Sequence, residues 1–244
     1  MTVFRILNGR LLGALLLLPL LAGAECKSTT PKRLIVGVDV SASIKQDQRQ
    51  RWLPLAQSFL ACLGPGAELE VFLIHENTRD SAPLFVGSFP VKRGSTIKAI
   101  QDFAGARKAF REQADGALNR AFSPDVKANV TDIFSLLDRV HPDARSTLLI
   151  LFTDGYHSTA ELNLEKVHLQ PERFPELIRG EAQKHNWHNQ TLTHTQVDVI
   201  LPSVDCCTKV RPVNDRIVLE QFYQQLVTAL GGRLGVFDTH LEVN

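Results

Sequence analysis

Six runs of apolar residues predict six β-strands along the chain. Residues 33–40 (RLIVGVDV) and 147–152 (TLLILF) are apolar at nearly every position, which is typical of strands buried on both faces. Residues 68–74 (ELEVFLI) and 84–91 (LFVGSFPV) are separated by a polar loop, so they favour a hairpin. Two further strands are predicted at 197–201 and 233–237.

Between these runs the apolar positions recur with a period near 3.6, which predicts helices. The first helix is expected at 44–63, where Trp52, Ala56 and Phe59 lie on one face, and Gly64 begins the segment that ends it. Further helices are predicted at 96–110, 113–122, 130–140, 175–185 and 215–230. The stretch 155–196 is otherwise long and polar.

Buried strands that alternate with helices predict an α/β fold with a mostly parallel sheet. Crossover connections between parallel strands are right-handed, so helices are expected on both faces of the sheet. In folds of this kind, functional groups lie at the carboxyl ends of the strands. The polar residues that directly follow the predicted strands are therefore the candidates for chemistry.

The first 24 residues have the features of a secretory signal. Arg5 and Arg10 precede an apolar run at 11–21, which is shorter than the ~20 residues that a membrane span needs. The small residues at 22–24 fit a cleavage site after Ala24. We predict a cleaved signal peptide at 1–24 and one domain at 25–244, secreted or periplasmic, with an uncleaved anchor as the alternative. No later stretch is apolar and long enough to predict a transmembrane segment.

Charge argues against a general nucleic-acid binder. Lys and Arg number 27 and Asp and Glu number 26 in the 244 residues, so the basic excess that such binding requires is missing. The hydrophobic fraction of 44% is that of an ordinary globular protein, which disfavours a disordered chain.

Side chains with carboxylate or hydroxyl oxygens lie at the ends of two predicted strands and at the start of one predicted helix. The first strand runs into Asp39, Ser41 and Ser43 in a D-x-S-x-S pattern, and the strand 147–152 is followed by Asp154 in a T-D-G sequence. Thr131 lies in sequence between them, where a helix is predicted to begin. Oxygen ligands without Cys or His suit Mg²⁺, Mn²⁺ or Ca²⁺. We therefore predict a divalent-cation site at one edge of the sheet, with Mg²⁺ favoured.

Each of these motifs also has a purely structural interpretation. Ser41 or Ser43 can cap the helix that follows them. The T-D-G sequence is common in turns. Thr131 can be a helix N-cap, with Asp132 favouring the helix dipole.

The order and placement of the motifs resemble the von Willebrand factor type A (VWA) domain with its metal-ion-dependent adhesion site. The likeness covers residues 33–237 and implies a Rossmann-like three-layer fold. It implies that Ser41 and Ser43 bind the ion directly, and that Asp39, Thr131 and Asp154 bind it directly or through water. Two departures from the family pattern are the sequence 128–130 (ANV) where glycines are usual, and the long segment 155–196.

The resemblance implies a protein-binding module and not an enzyme: a partner's Asp or Glu would complete the shell of the cation. One alternative is a metal-dependent hydrolase that uses Asp39 and Asp154, with His157 as the acid or base. The other is a scaffold of the same fold without metal. Candidate partner contacts, which follow strand ends at the same edge, are His75, Glu76, Tyr156, His157 and Ser158.

All four cysteines lie in the predicted mature chain, so disulfides are expected. The helix 44–63 runs back across the sheet, about 28 Å at 1.5 Å per residue, and so returns Cys62 to the edge where Cys26 begins the fold. We therefore predict a Cys26–Cys62 disulfide. Cys206 and Cys207 are left to each other as a vicinal pair, to a partner molecule, or as free thiols.

Overall fold

The computed structural model describes residues 31–141, 145–203 and 213–239. The predicted signal peptide lies outside these residues, as do Cys26, Cys206 and Cys207. The elements follow one another as β1 (Arg33–Asp39), α1 (Gln46–Leu60), β2 (Glu68–Ile74), β3 (Phe85–Ser88), α2 (Ile97–Ala121), α3 (Phe134–Leu137), β4 (Thr147–Phe152), a 3-10 turn (Pro171–Arg173), α4 (Phe174–His185), β5 (Thr195–Ile200), α5 (Val213–Ala229) and β6 (Arg233–Asp238).

The six strands form one sheet in the order β3-β2-β1-β4-β5-β6. Only β3 runs antiparallel, paired with β2 in the predicted hairpin. The two most apolar strands, β1 and β4, lie side by side at the centre, with Val38 opposite Phe152. The α/β fold class with a mostly parallel sheet is therefore confirmed, and the arrangement is consistent with a Rossmann-like three-layer fold.

Helices bury both faces of the sheet. On one face α1 and α2 pack through Trp52 and Phe122, whose rings both contact Phe152 of β4 at centroid distances of 5.7 and 5.2 Å. On the other face α4 and α5 pack through Phe174 and Phe222, with ring centroids 5.4 Å apart. Two apolar clusters, one on each face, hold the central strands between them.

The short helix α3 lies directly over β1 because Gly37 has no side chain. A Cβ atom at Gly37 would overlap Leu136 Cδ2. Leu136 itself is fully buried. This close approach places the segment before α3, which carries Thr131, beside the carboxyl ends of β1 and β4.

Three helix predictions were wrong in their extent. The predicted helices 96–110 and 113–122 are one continuous helix, α2, since residues 97–109 lie largely exposed and need no apolar stripe to form it. The predicted helix 130–140 is limited to α3, since Thr131 forms a backbone bridge with Ser158 and Asp132 Oδ1 accepts a hydrogen bond from Ser135 N.

None of the helices in the described ranges combines the length and the apolar character needed to cross a membrane.

A buried polar cluster joins the end of α3 to the end of α4. His185 Nδ1 lies 2.9 Å from Asp138 Oδ2, and Trp187 Nε1 donates to Asp138 Oδ1 at 2.6 Å. Glu181 Oε2 lies 3.5 Å from His185 Nε2, and Arg79 Nε lies 3.7 Å from Asp138 Oδ2. Burial lowers the pKa of His185, but the carboxylates of Asp138 and Glu181 outweigh it and raise the pKa to about 9.

This cluster predicts a pH dependence of stability. Because the folded pKa of His185 exceeds that of the unfolded chain, its contribution is fully present below about pH 6.5 and is lost as the pH rises through about 9. We expect His185→Gln to lower the free energy of unfolding by about 2 kcal/mol at pH 6. The difference from wild type should shrink above pH 9. Urea titrations at several pH values measure this, with the exposed His188→Gln as control. A difference that grows with pH would contradict it.

Cys62 follows α1 and forms a disulfide. The other cysteine of this bond lies outside the described residues, so the pairing with Cys26 stays a prediction. Non-reducing peptide mapping is expected to recover a peptide pair that contains Cys26 and Cys62. A peptide that links Cys62 to Cys206 or Cys207 would contradict the predicted pairing.

Candidate functional site

The candidate site lies between β1 and β4, where the strand order of the sheet reverses. From β1 the chain passes to β2 on one side, whereas β4 on its other side leads to β5. The loops that follow β1 and β4 therefore diverge at the carboxyl edge, which is the usual place for ligands in such folds. Asp39 ends β1, and Asp154 follows β4 by two residues.

Asp39 is fully buried and holds both loops together. Its Oδ1 accepts a hydrogen bond from Ser41 N at 2.8 Å, which shapes the turn of the D-x-S-x-S segment. Its Oδ2 accepts one from Thr153 Oγ1 at 2.7 Å, across the β1–β4 pair. Thr153 Oγ1 in turn accepts from Gly155 N at 3.1 Å. One carboxylate thus fixes the backbone after both central strands.

The two serine hydroxyls of the motif lie next to each other. Ser41 Oγ and Ser43 Oγ are 2.9 Å apart. Ser41 is buried and Ser43 half-buried, so the pair lies at the border between the core and solvent. The N-cap residue of α1 is Lys45, so neither serine occupies the N-cap position of this helix. The capping interpretation is therefore not supported.

A second buried carboxylate lies close enough to perturb the first. Asp154 is 7% exposed, and its Oδ1 accepts a hydrogen bond from Tyr156 N at 3.1 Å. Burial, and then the negative charge of Asp154, raise the pKa of Asp39 to about 7, although the bonds from Ser41 and Thr153 oppose this. The environment of Asp39 therefore disfavours its charged form.

Thr131 reaches the same edge through backbone pairing. Its N–H donates to Ser158 O at 3.3 Å, and Ser158 N donates to Thr131 O at 2.8 Å, which ties it to the loop after β4. Three residues earlier, Ala128 pairs with Ser41 in the loop after β1. Thr131 is buried. The structure thus brings the segments of all five predicted residues to one edge of the sheet, with direct side-chain contact between Ser41 and Ser43.

Two residues of this site were missed by the sequence interpretation. Thr153 stands between β4 and Asp154, and a hydroxyl directly before the T-D-G aspartate was a usable signal for it. Tyr223, in α5, donates its hydroxyl to Gly155 O at 2.9 Å and is fully buried. No signal in the sequence singled out Tyr223, because α5 is distant along the chain and its buried face is uniformly apolar or aromatic.

The predicted partner contacts divide into exposed and buried residues. Glu76 is exposed and His75 half-buried in the loop after β2, so both stay candidates. Tyr156 and His157 are buried, the latter completely, so their side chains are not part of an exposed rim. Ser158 is half-buried, and its backbone is already paired with Thr131.

His157 is a core residue by its contacts. Its ring stacks on Phe134 at a centroid distance of 4.1 Å, and its Nδ1 accepts from Phe134 N at 3.5 Å. Burial lowers the pKa of His157 to about 4, against the influence of Asp132. The imidazole is therefore neutral at physiological pH and enclosed by aromatic packing.

The donor atoms suit a small, hard cation. Mg²⁺ binds oxygens at 2.0–2.1 Å in an octahedron, which places neighbouring oxygens about 2.9 Å apart, the separation of the Ser41 and Ser43 hydroxyls. A cation beside Asp39 and Asp154 would also offset the repulsion that raises the pKa of Asp39. Across the described ranges no cluster of three or more His, Cys, Asp or Glu side chains is arranged to hold a metal. The candidate site is not such a cluster, because it contains only two carboxylates, and its other oxygen atoms belong to hydroxyl groups.

Comparison of the sequence with models of known protein families gives no match. Comparison with curated protein sequences gives none either.

The backbone conformation at Gly155 requires a glycine, so a substitution there should destabilise the protein. Its φ of +83° lies in the left-handed region, and a Cβ atom would meet Leu219 Cδ2 at 3.0 Å. We expect Gly155→Ala to lower the free energy of unfolding by about 1–3 kcal/mol, measured by thermal or urea unfolding. The control Gly180→Ala, in α4 with open space around it, should be neutral or stabilising. Equal stability of the Gly155 variant and wild type would contradict the strain.

Proposed function

We propose that this protein is an exported binding module of the VWA type, which recognises a protein partner through a divalent cation. The proposed ligand set is Asp39, Ser41, Ser43, Thr131 and Asp154, with Mg²⁺ as the favoured ion and Mn²⁺ or Ca²⁺ as substitutes. The signal sequence proposed for residues 1–24 would place the mature protein in the periplasm or outside the cell.

The observation that carries this proposal is the pair of carboxylates after the two central strands. Asp39 and Asp154 are both buried, and burial together with the negative charge of Asp154 raises the pKa of Asp39 to about 7. Two carboxylates confined together are disfavoured unless one is protonated or a cation lies between them. The adjacent hydroxyls of Ser41 and Ser43, at 2.9 Å, supply ligands that add no charge.

Neutral hydroxyl ligands favour recognition over catalysis. A cation held by two carboxylates and by hydroxyls keeps more of its positive charge than one held by carboxylates alone, and offers an open position to a partner's Asp or Glu. The chain's own residues would fix the direction of that contact. Asp39 orients the D-x-S-x-S turn through Ser41 N, and Thr153 locks it to the loop after β4.

The hydrolase alternative depended on His157 as the acid or base. Its complete burial, its stacking on Phe134 and a pKa near 4 make it a poor proton carrier for a substrate at this edge. The metal-free scaffold remains the second candidate, because the hydrogen bonds of Asp39 alone are sufficient to organise the two loops.

Divalent ions are the direct test. We expect Mg²⁺ or Mn²⁺ to raise the melting temperature of the mature protein, since an ion at about 100 times its Kd stabilises by about 2.7 kcal/mol. The double variant Ser41→Ala/Ser43→Ala should lose most of this response. Its metal-free stability should fall by about 1–2 kcal/mol, because the two hydroxyls bond to each other and the buried Ser41 hydroxyl also bonds to Asp39. Asp39→Ala should lose the response as well.

The matched control is Ser88→Ala, an exposed serine at the opposite end of the sheet in β3, which should respond like wild type. A wild-type protein with no response to millimolar Mg²⁺, Mn²⁺ or Ca²⁺ supports the metal-free scaffold. Turnover of small esters or phosphate esters that Asp39→Ala abolishes would support the hydrolase instead.

A further inference from the structure

Arg49 is a buried cation whose contacts lead to the candidate site. It lies in the first turn of α1, and only 2% of its surface is exposed. Its Nη1 donates to Val126 O at 2.6 Å and to Ser123 O at 3.3 Å. The guanidinium therefore ties α1 to the loop that leaves α2 and leads to Thr131.

That loop in turn braces the D-x-S-x-S segment on both sides of Ser41. Ala128 N donates to Val40 O at 2.9 Å, and Ala42 N donates to Ala128 O at 3.0 Å. These two bonds form a short parallel bridge between Ser41 and Ala128. A contiguous chain of hydrogen bonds thus runs from the guanidinium, through the loop 123–128, to the backbone that carries the serine hydroxyl.

The positive charge of Arg49 also interacts with Asp39 of the candidate site. Within the described part of the chain, no carboxylate forms a direct ion pair with it. Burial lowers the pKa of Arg49, and the negative charge of Asp39 opposes that shift. Both hydrogen bonds come from the one nitrogen Nη1, and arginine suits this position because it keeps its charge on burial more readily than lysine.

Burying a cation without an ion pair carries a large desolvation penalty, which contact between a helix and a loop does not by itself require. An apolar side chain of similar length would fill the space without the desolvation penalty. The arrangement is therefore better explained by what the guanidinium fixes than by stability alone. It fixes the loop that aligns Ser41 and that carries the chain on to Thr131.

We propose that Arg49 is the positioning residue of the metal site, holding the loop 123–128 so that Ser41 and Thr131 keep their places beside Asp39. This inference rests on the proposed function, because it assigns Arg49 a role toward the same cation. Its structural part, the bracing of the two loops, is measurable in protein without added ions.

The test compares Arg49→Met and Arg49→Lys with wild type in the full mature chain. Arg51→Met is the matched control, since Arg51 lies two residues away in α1 with a mostly exposed side chain. Hydrogen–deuterium exchange is followed by mass spectrometry without added ions, in peptides that cover 38–44 and 122–131. Mn²⁺ affinity is then measured by electron paramagnetic resonance.

In Arg49→Met we expect exchange in these two peptides to accelerate about tenfold or more, since hydrogen bonds from a charged donor are lost. Peptides from β5, α5 and β6 should be unchanged. Mn²⁺ affinity should fall by about tenfold, with Arg49→Lys intermediate and Arg51→Met like wild type.

Unchanged exchange at 38–44 and 122–131 would overturn the proposal, and so would acceleration across the whole chain, which indicates a general loss of stability. Faster local exchange with full Mn²⁺ affinity would also overturn the positioning role, while the proposed function would stand. Absence of Mn²⁺ binding in wild type is the distinct result that overturns the proposed function and with it the role of Arg49 toward the ion.

Discussion

The candidate site depends on one carboxylate that is bonded to two loops at once. Asp39 is fully buried at the end of β1, and its two oxygens accept hydrogen bonds from Ser41 N and Thr153 Oγ1. Because β1 and β4 are neighbours in the sheet, these bonds set the distance between the loops that follow them. Ser43 and Asp154 lie in the two loops that this contact joins.

The surroundings of Asp39 disfavour its charged form, because it is buried and lies near a second carboxylate. Asp154 adds a second buried carboxylate, and Tyr223 encloses the loop from α5 without adding a positive charge. Arg49 is the buried cation that Asp39 influences, yet its bonds go to backbone carbonyl groups. This environment is the physical basis of the cation that we propose for the site.

The pKa values of two buried histidines are shifted in opposite directions, and neither side chain is part of the candidate site. His185 is stabilised in its charged form by Asp138 and Glu181, and it joins α3 to α4. His157 follows the site by sequence but is neutral and stacked on Phe134. Proximity along the chain to Asp154 suggested a functional role for His157, whereas packing made it part of the core.

The sequence by itself predicted six strands, the fold class and the residues at the strand ends, because strands buried on both faces, such as β1 and β4, form continuous apolar runs. β2 and β4 have the bounds that their patterns predicted. Only the tertiary structure revealed the contacts of Thr153, Tyr223 and Arg49, the single helix α2 and the short helix α3. Each of these depends on contacts between segments far apart in the chain, which no local pattern records. Asp39 and Thr153, for example, are separated by 114 positions.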